Sequence, residues 1–192
     1  MSPLPSNERR ALLELARLAV VEAVQSGRLL KIQPKFEFGE LRKPSGAFIT
    51  LRRGRQLRGC IGQVIALNSL AETVAYCAMA AALEDTRFEP VRANELMELE
   101  IEISALSPIE PITPEGIVIG KHGLLISDES HRGLLLPQVA GERGWSVERF
   151  LQETCAKGGM HPAAWKLPGT RIEAFTAEIF SEAESRAERR AG

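Results

Sequence analysis

The chain has 192 residues, of which 44% are hydrophobic and 26% are charged, and its formal net charge is −1. This length fits one domain or one unit of two lobes, and these fractions exclude a disordered or fibrous chain. No apolar run reaches the roughly 18 residues that a membrane span needs, and MSPLPSNERR lacks the apolar core of a signal peptide. We therefore expect a soluble, cytoplasmic protein.

The N-terminal half begins with a predicted helix that Ser6 caps and that runs to about Ser26, because its apolar residues recur at helical spacing. An irregular, proline-containing connection is expected over 31–44. Two strands, 47–51 and 57–65, then flank a five-residue loop. This order places an antiparallel hairpin directly after the first helix.

A second helix is predicted over 70–83, because Ser69 and Glu72 form a capping box at its start. Segment 98–105 alternates strictly between apolar residues and mainly carboxylates, which is typical of a half-exposed antiparallel strand. The remaining expected elements are strands at 117–119, 123–127, 133–138 and 171–180, and a helix from Ser146 to about Lys157. Residues 181–192 are expected to form a flexible charged tail.

Helices and strands do not alternate as βαβ units, so the sequence predicts the α+β class, with antiparallel sheet flanked by helices. The cysteines (Cys60, Cys77, Cys155) and histidines (His122, His131, His161) show no metal-ligand spacing. We therefore expect reduced thiols and neither a metal nor a cofactor. Cys77 and Cys155 fall on apolar helix faces and are expected in the core.

The hexapeptide LRGCIG, 57–62, is the unusual segment. A five-residue loop would place Thr50 opposite Arg58 and Phe48 opposite Cys60, so that these four side chains share the face away from the core, while Leu57 lies in it. Glycine within a strand permits a bulge or a close approach, and a guanidinium beside a thiol favours thiolate. One hypothesis is a nucleophilic or ligand-contacting Cys60, with Arg58 as anion clamp and Thr50 as hydrogen-bond partner. The alternative is a buried thiol in a twisted hairpin.

A proton carrier for such a thiol must come from elsewhere in the chain. His122 is the first candidate, although an ordinary turn histidine explains it as well. Glu100 and Glu102 could act together in proton transfer, but the simpler interpretation is that they lie on a solvated edge of the sheet. Residues 31–60 contain eight basic and two acidic residues and three phenylalanines, which leaves an RNA- or protein-binding module as the second function hypothesis.

Several segments together resemble the AMMECR domain family, over about residues 7–180. They are GAFITLRRGRQLRGCIG (46–62), DTRFEPV (85–91), LEIEISALSPIEPI (99–112), KHGLLI (121–126) and RGLLLPQVA (132–140) followed by GW. The resemblance is to the bacterial and archaeal stand-alone form. It implies an α+β fold of two lobes with LRGCIG near the cleft between them.

The resemblance also implies a context, because microbial members are often encoded beside a Memo-like protein and a radical S-adenosylmethionine enzyme. We therefore expect a pathway with these partners, in which this chain is a cysteine-centred enzyme or substrate-presenting subunit for a small polar or anionic substrate. The expected catalytic residues are Cys60 and His122. The expected substrate-binding residues are Arg58, Thr50, Phe48, Gly59, Ile61, Gly62 and Arg87.

Overall fold

The computed structural model describes residues 3–191. In chain order the elements are α1 (Ser6–Ser26), β1 (Ala47–Arg53), β2 (Gln56–Gln63), α2 (Leu70–Leu83), β3 (Leu99–Leu106), β4 (Glu110–Pro111), β5 (Gly123–Ser127), β6 (Arg132–Leu135), α3 (Pro137–Glu142), α4 (Val147–Lys157), β7 (Arg171–Phe175), β8 (Ala177–Ser181) and α5 (Glu182–Ala191). Helices and two separate sheets confirm the α+β class. None of the helices described is long and apolar enough to cross a bilayer.

The chain divides into two compact units. The larger unit comprises residues up to 106 and from 178 onward, and the smaller unit comprises Ser107–Ala177. The smaller unit is therefore an insertion in the chain of the larger one.

Local signals account for where the main helices begin and end. Ser69 accepts a hydrogen bond from the Glu72 amide, and the Glu72 carboxylate accepts one from the Ser69 amide, so the predicted capping box of α2 is confirmed. α1 ends as predicted at Gly27, whose φ of 68° allows its amide to bond the Ala23 carbonyl. At its other end α1 starts one residue earlier than expected, because Ser6 is its first residue and Pro5 is the N-cap.

The larger unit has a four-stranded sheet in the order β2-β1-β3-β8, in which β1 is antiparallel to both β2 and β3. Helices α1 and α2 pack against each other, and the apolar face of the sheet packs into the same core. The buried strand residues of this core include Ala47, Ile49, Leu51, Ile101 and Ile103. β2 is an edge strand, which leaves one side of its backbone without a strand partner.

The smaller unit has a sheet in the order β4-β7-β5-β6, with α4 packed on it. Leu124, Ile126, Phe150, Leu151 and Cys155 are fully buried in its core. The strand predicted over 117–119 is wrong, since these residues are irregular and lead from a 3-10 helix into a turn. The strand expected over 133–138 ends at 135, because Pro137 starts α3.

The C-terminal segment differs most from its prediction. The single strand expected over 171–180 is two strands in different sheets, and the chain changes sheets at Thr176, whose backbone bonds Ser107. The expected tail forms α5 over Glu182–Ala191. The Glu182 carboxylate binds the Arg17 guanidinium and accepts a hydrogen bond from the Ile101 amide, which ties α5 to α1 and β3.

Candidate functional site

The hairpin that carries LRGCIG has a different register from the one expected. Thr50 pairs with Cys60 and Phe48 with Gly62, and the register shifts so that Arg58 has no partner on β1. The expected pairing of Thr50 with Arg58 and of Phe48 with Cys60 is therefore wrong. The physical reason is a two-residue turn in place of a five-residue loop, with the extra residue taken up as a bulge.

Cross-strand partners project on the same side of a sheet, so the register defines which residues share a face with Cys60. We call this side of the larger sheet the thiol face. It carries Leu57, Cys60 and Gly62 from β2, Phe48, Thr50 and Arg52 from β1, and Glu100, Glu102 and Ser104 from β3. Leu57 is exposed on this face instead of lying in the core, as was expected. Ile61, an expected binding residue, lies on the opposite face and packs against the core.

The two glycines of LRGCIG are required by contacts within the protein. A Cβ at Gly59 would lie 2.1 Å from the Ala81 carbonyl oxygen, so Gly59 allows α2 to approach β2. A Cβ at Gly62 would lie 2.1 Å from the ring of Phe48, which covers that position. The expectation that the glycines open the backbone to a close approach thus holds, but the atoms that approach belong to this chain. We do not assign Gly59, Gly62 or Phe48 to a substrate.

Cys60 is half-buried, and its sulfur accepts a hydrogen bond from Thr50 Oγ1 at 3.5 Å. The other two cysteines are fully buried. Burial raises the pKa of Cys77 to about 11, and burial also raises the pKa of Cys155. Cys60 is therefore the least buried of the three cysteines. Within the described part of the chain, no three His, Cys, Asp or Glu side chains converge as metal ligands.

The backbone of Cys60 is held from the open side of the edge strand by an Asp–Arg pair. Asp85 Oδ2 accepts a hydrogen bond from the Cys60 amide at 2.8 Å, and Arg87 Nη2 donates one to the Cys60 carbonyl at 3.1 Å. Asp85 is buried and binds the Arg87 guanidinium through both oxygens, at 2.7 and 2.8 Å. These bonds hold the pKa of the Asp85 carboxyl well below its usual range. The pair completes the hydrogen bonding that a neighbouring strand would supply.

Arg58 does not lie free beside the thiol. Its Nε and Nη2 donate to the two oxygens of Glu95, at 2.8 and 3.0 Å, and Nη1 donates to the Glu89 carbonyl at 2.8 Å. The Arg58 hydrogen bonds lower the pKa of Glu95 to about 2. The guanidinium expected to clamp an anion therefore fastens β2 to the segment between α2 and β3.

His122 lies in the smaller unit, just before β5. Its Nδ1 accepts a hydrogen bond from the Val118 amide at 3.1 Å, which assigns the ring proton of the neutral form to Nε2. Burial and the charge of Lys121 lower the pKa of His122, which favours the neutral ring. A role for His122 in proton transfer stays a prediction.

Glu100 and Glu102, the two carboxylates suggested for proton transfer, lie in different environments. Glu100 accepts a hydrogen bond from the Ala183 amide at 3.1 Å and lies 3.7 Å from the Arg186 guanidinium, so it helps to seat α5. Glu102 lies directly opposite Thr50, one strand further from Cys60.

Sequence reasoning placed Arg87 near the site but missed Asp85 and Glu95. The signal for Asp85 was present in DTRF, because an aspartate two residues before an arginine can bind its guanidinium and amide locally. No comparable signal marked Glu95, which meets Arg58 across 37 residues of chain.

Fold and site together define an α+β protein whose edge strand presents a half-exposed cysteine held by an Asp–Arg pair. The chain matches the AMMECR1 family over residues 13–180, and it therefore belongs to the AMMECR1 family. The predicted resemblance is thus confirmed.

Relatives and a solved structure match nearly the whole chain. A protein of Thermococcus gammatolerans is 44% identical over 182 residues, covering 89% of this chain and 88% of the relative. A protein of Methanothermobacter thermautotrophicus is 38% identical, covering 94% and 97%. The crystal structure of an uncharacterized protein from Pyrococcus horikoshii superposes with a TM-score of 0.81 at 38% identity, covering 93% of each chain.

Proposed function

We propose that this AMMECR1 protein acts on, or presents, a small polar or anionic substrate through the thiol of Cys60. The observation that carries the proposal is the contrast among the three cysteines. Two are sealed in apolar cores, whereas Cys60 lies half-exposed on a polar face with a hydroxyl donor at its sulfur. A thiol kept accessible beside a hydrogen-bond donor can contact a substrate or attack it as thiolate.

Rigidity of the Cys60 backbone supports the same proposal. Its amide and carbonyl are both fixed by the Asp85–Arg87 pair, and Gly59 beside it is locked under α2. A nucleophile or ligand contact gains from such pre-organisation, because less motion must be arrested when the substrate binds.

Arg87 is the cation that supports an anionic substrate. Its side chain is 56% exposed although it binds Asp85 and the Cys60 carbonyl, so part of the guanidinium faces solvent next to the cysteine. Arg58, the expected anion clamp, has a carboxylate partner already. We therefore give Arg58 a structural role, and Arg87 adds positive charge beside Cys60 that favours an anionic substrate.

Alkylation of the folded protein with iodoacetamide tests the proposal. We expect Cys60 to react at neutral pH faster than a model thiol such as glutathione, while the buried Cys77 and Cys155 react only after unfolding. Mass spectrometry of the peptides assigns the site, and Cys60→Ser is the control that should remove the fast phase. A Cys60 that reacts no faster than glutathione would contradict its role as nucleophile.

The place in a pathway with a Memo-like protein and a radical S-adenosylmethionine enzyme belongs to this proposal as well. It rests on the family resemblance, and co-purification of the three proteins from a microbial host tests it. Retention of both partners by the wild-type chain supports a shared assembly, and their loss in mild buffer argues against a stable one.

The nucleic-acid alternative loses support from the same geometry. Four of the eight basic residues in 31–60 are ion-paired with carboxylates, namely Lys35, Lys43, Arg53 and Arg58. Phe36 is buried in the core, so its ring is not available for stacking on bases.

A further inference from the structure

The bulge at Arg58 places a different arginine on the thiol face. Arg52 lies two residues after Thr50 on β1 and therefore projects on the same side of the sheet as Cys60. Diagonal neighbours on adjacent antiparallel strands are about 7–8 Å apart, a distance that an arginine side chain covers. The guanidinium of Arg52 can thus share one small ligand with the Cys60 sulfur.

Arg52 also differs from its neighbours in its charge environment. Arg53 pairs with Glu98 at 2.5 Å and Arg58 pairs with Glu95 at 2.8 Å. Arg52 is half-buried, yet among the residues that the structure describes no carboxylate lies within ion-pair distance of its guanidinium. A guanidinium without a carboxylate partner in the protein keeps its donors available to an anionic ligand.

The nearest candidate counter-charge is engaged elsewhere. Glu100 is the direct partner of Arg52 on β3, but its carboxylate accepts from the Ala183 amide and lies near Arg186. The start of α5 therefore draws Glu100 away and leaves Arg52 available.

We propose that Arg52 binds a carboxylate group of the substrate that Cys60 contacts. The fork of a guanidinium matches the two oxygens of a carboxylate. The thiol face also carries the acidic residues Glu100 and Glu102, which would repel a doubly charged phosphate more than a singly charged carboxylate. The general spacing of about 7–8 Å between such diagonal positions favours a short carboxylic acid as the substrate. This inference rests on the proposed function of Cys60.

Two alkylating reagents of nearly equal size test the inference. Iodoacetate carries a carboxylate and iodoacetamide a neutral amide, and both form the same S–C bond with loss of iodide. We expect the rate ratio of iodoacetate to iodoacetamide at Cys60 to exceed the ratio at glutathione by about tenfold, which corresponds to one charged hydrogen-bonded contact. Arg52→Gln should remove most of that excess, and Arg55→Gln, in the exposed turn of the hairpin, should leave it unchanged.

A second measurement separates Arg52 from the reactivity of the thiol. In the Cys60→Ser variant, the singly charged carboxylate propionate should raise the melting temperature, and the added Arg52→Gln change should abolish that shift. If neither reagent modifies Cys60 but propionate still stabilises through Arg52, the thiol proposal fails and the carboxylate site stands. If propionate has no effect that depends on Arg52 and the reagent ratio equals that of glutathione, the inference is overturned.

Discussion

Replacing Asp85 by asparagine tests the contact that fixes the Cys60 backbone. Asp85 accepts four hydrogen bonds, from the Cys60 amide at 2.8 Å and from the amide, Nε and Nη2 of Arg87 at 3.2, 2.8 and 2.7 Å. Asparagine keeps one acceptor oxygen and turns an NH2 group toward donors. Hydrogen bonds to charged groups contribute about 1.5–3 kcal/mol each, and breaking a buried pair costs about 3–5 kcal/mol. Because solvent reaches the Arg87 guanidinium, we expect a loss of about 2–3 kcal/mol at pH 7.

The pH dependence of this loss has a defined sign. The pKa of Asp85 is lowered in the folded state, so its carboxylate stabilises the protein above the unfolded value of about 3.9. That contribution disappears as the pH falls below about 4 and through the folded pKa. The difference in unfolding free energy between wild type and Asp85→Asn should therefore shrink in acid.

Urea unfolding at neutral and acid pH measures this difference. Asp128→Asn is the matched control, because Asp128 also has a lowered pKa, but its partners are local, namely the Ser130 and His131 amides of a turn, which asparagine can also bond, and the exposed His131 ring. We expect the control to cost less than about 1 kcal/mol. A cost for Asp85→Asn no larger than that of the control, or a cost that persists undiminished in acid, would refute the account of Asp85.

Three further predictions concern the larger unit. Gly59→Ala should destabilise the protein by about 3 kcal/mol or more in urea unfolding, because the added methyl meets the rigid Ala81 carbonyl of α2; a cost under 1 kcal/mol would contradict that packing. Gly62→Ala should destabilise the protein by about 1–3 kcal/mol. The cost of the same change should be much smaller in a Phe48→Ala background, which lacks the ring that the added methyl strikes. Additive costs in that double-mutant cycle would exclude the contact. Ser69→Ala should cost about 1 kcal/mol of thermal or urea stability, since it removes the capping box of α2; an unchanged midpoint would show that the cap contributes nothing.

The cysteine and the two glycines of LRGCIG serve different purposes. The chemistry proposed for Cys60 requires the Thr50 hydroxyl and the Asp85–Arg87 pair, but it does not require the two glycines to be free for a substrate. LRGCIG is thus a folding motif in which Gly59 and Gly62 allow α2 and the Phe48 ring to pack, and the function proposed for Cys60 would add a second role to it.

The sequence by itself determined the elements whose signals are local. Apolar periodicity and a terminal glycine were sufficient for α1, and the Ser69–Glu72 capping box was sufficient for α2. The α+β class followed from the order of these elements. These features depend on residues within a few positions of one another, so no knowledge of the rest of the chain was needed.

Only the tertiary structure decided the register of the hairpin and therefore the residues around Cys60. Arg58, the unpaired residue of the bulge, binds Glu95, which comes from a segment beyond α2. Likewise, the segment 171–180 divides between two sheets because each half pairs with strands that are remote in sequence. Successive side chains of a strand point to opposite faces of the sheet, so a shift of register changes which side chains meet. That register depends on contacts between residues distant in sequence, which no local pattern encodes.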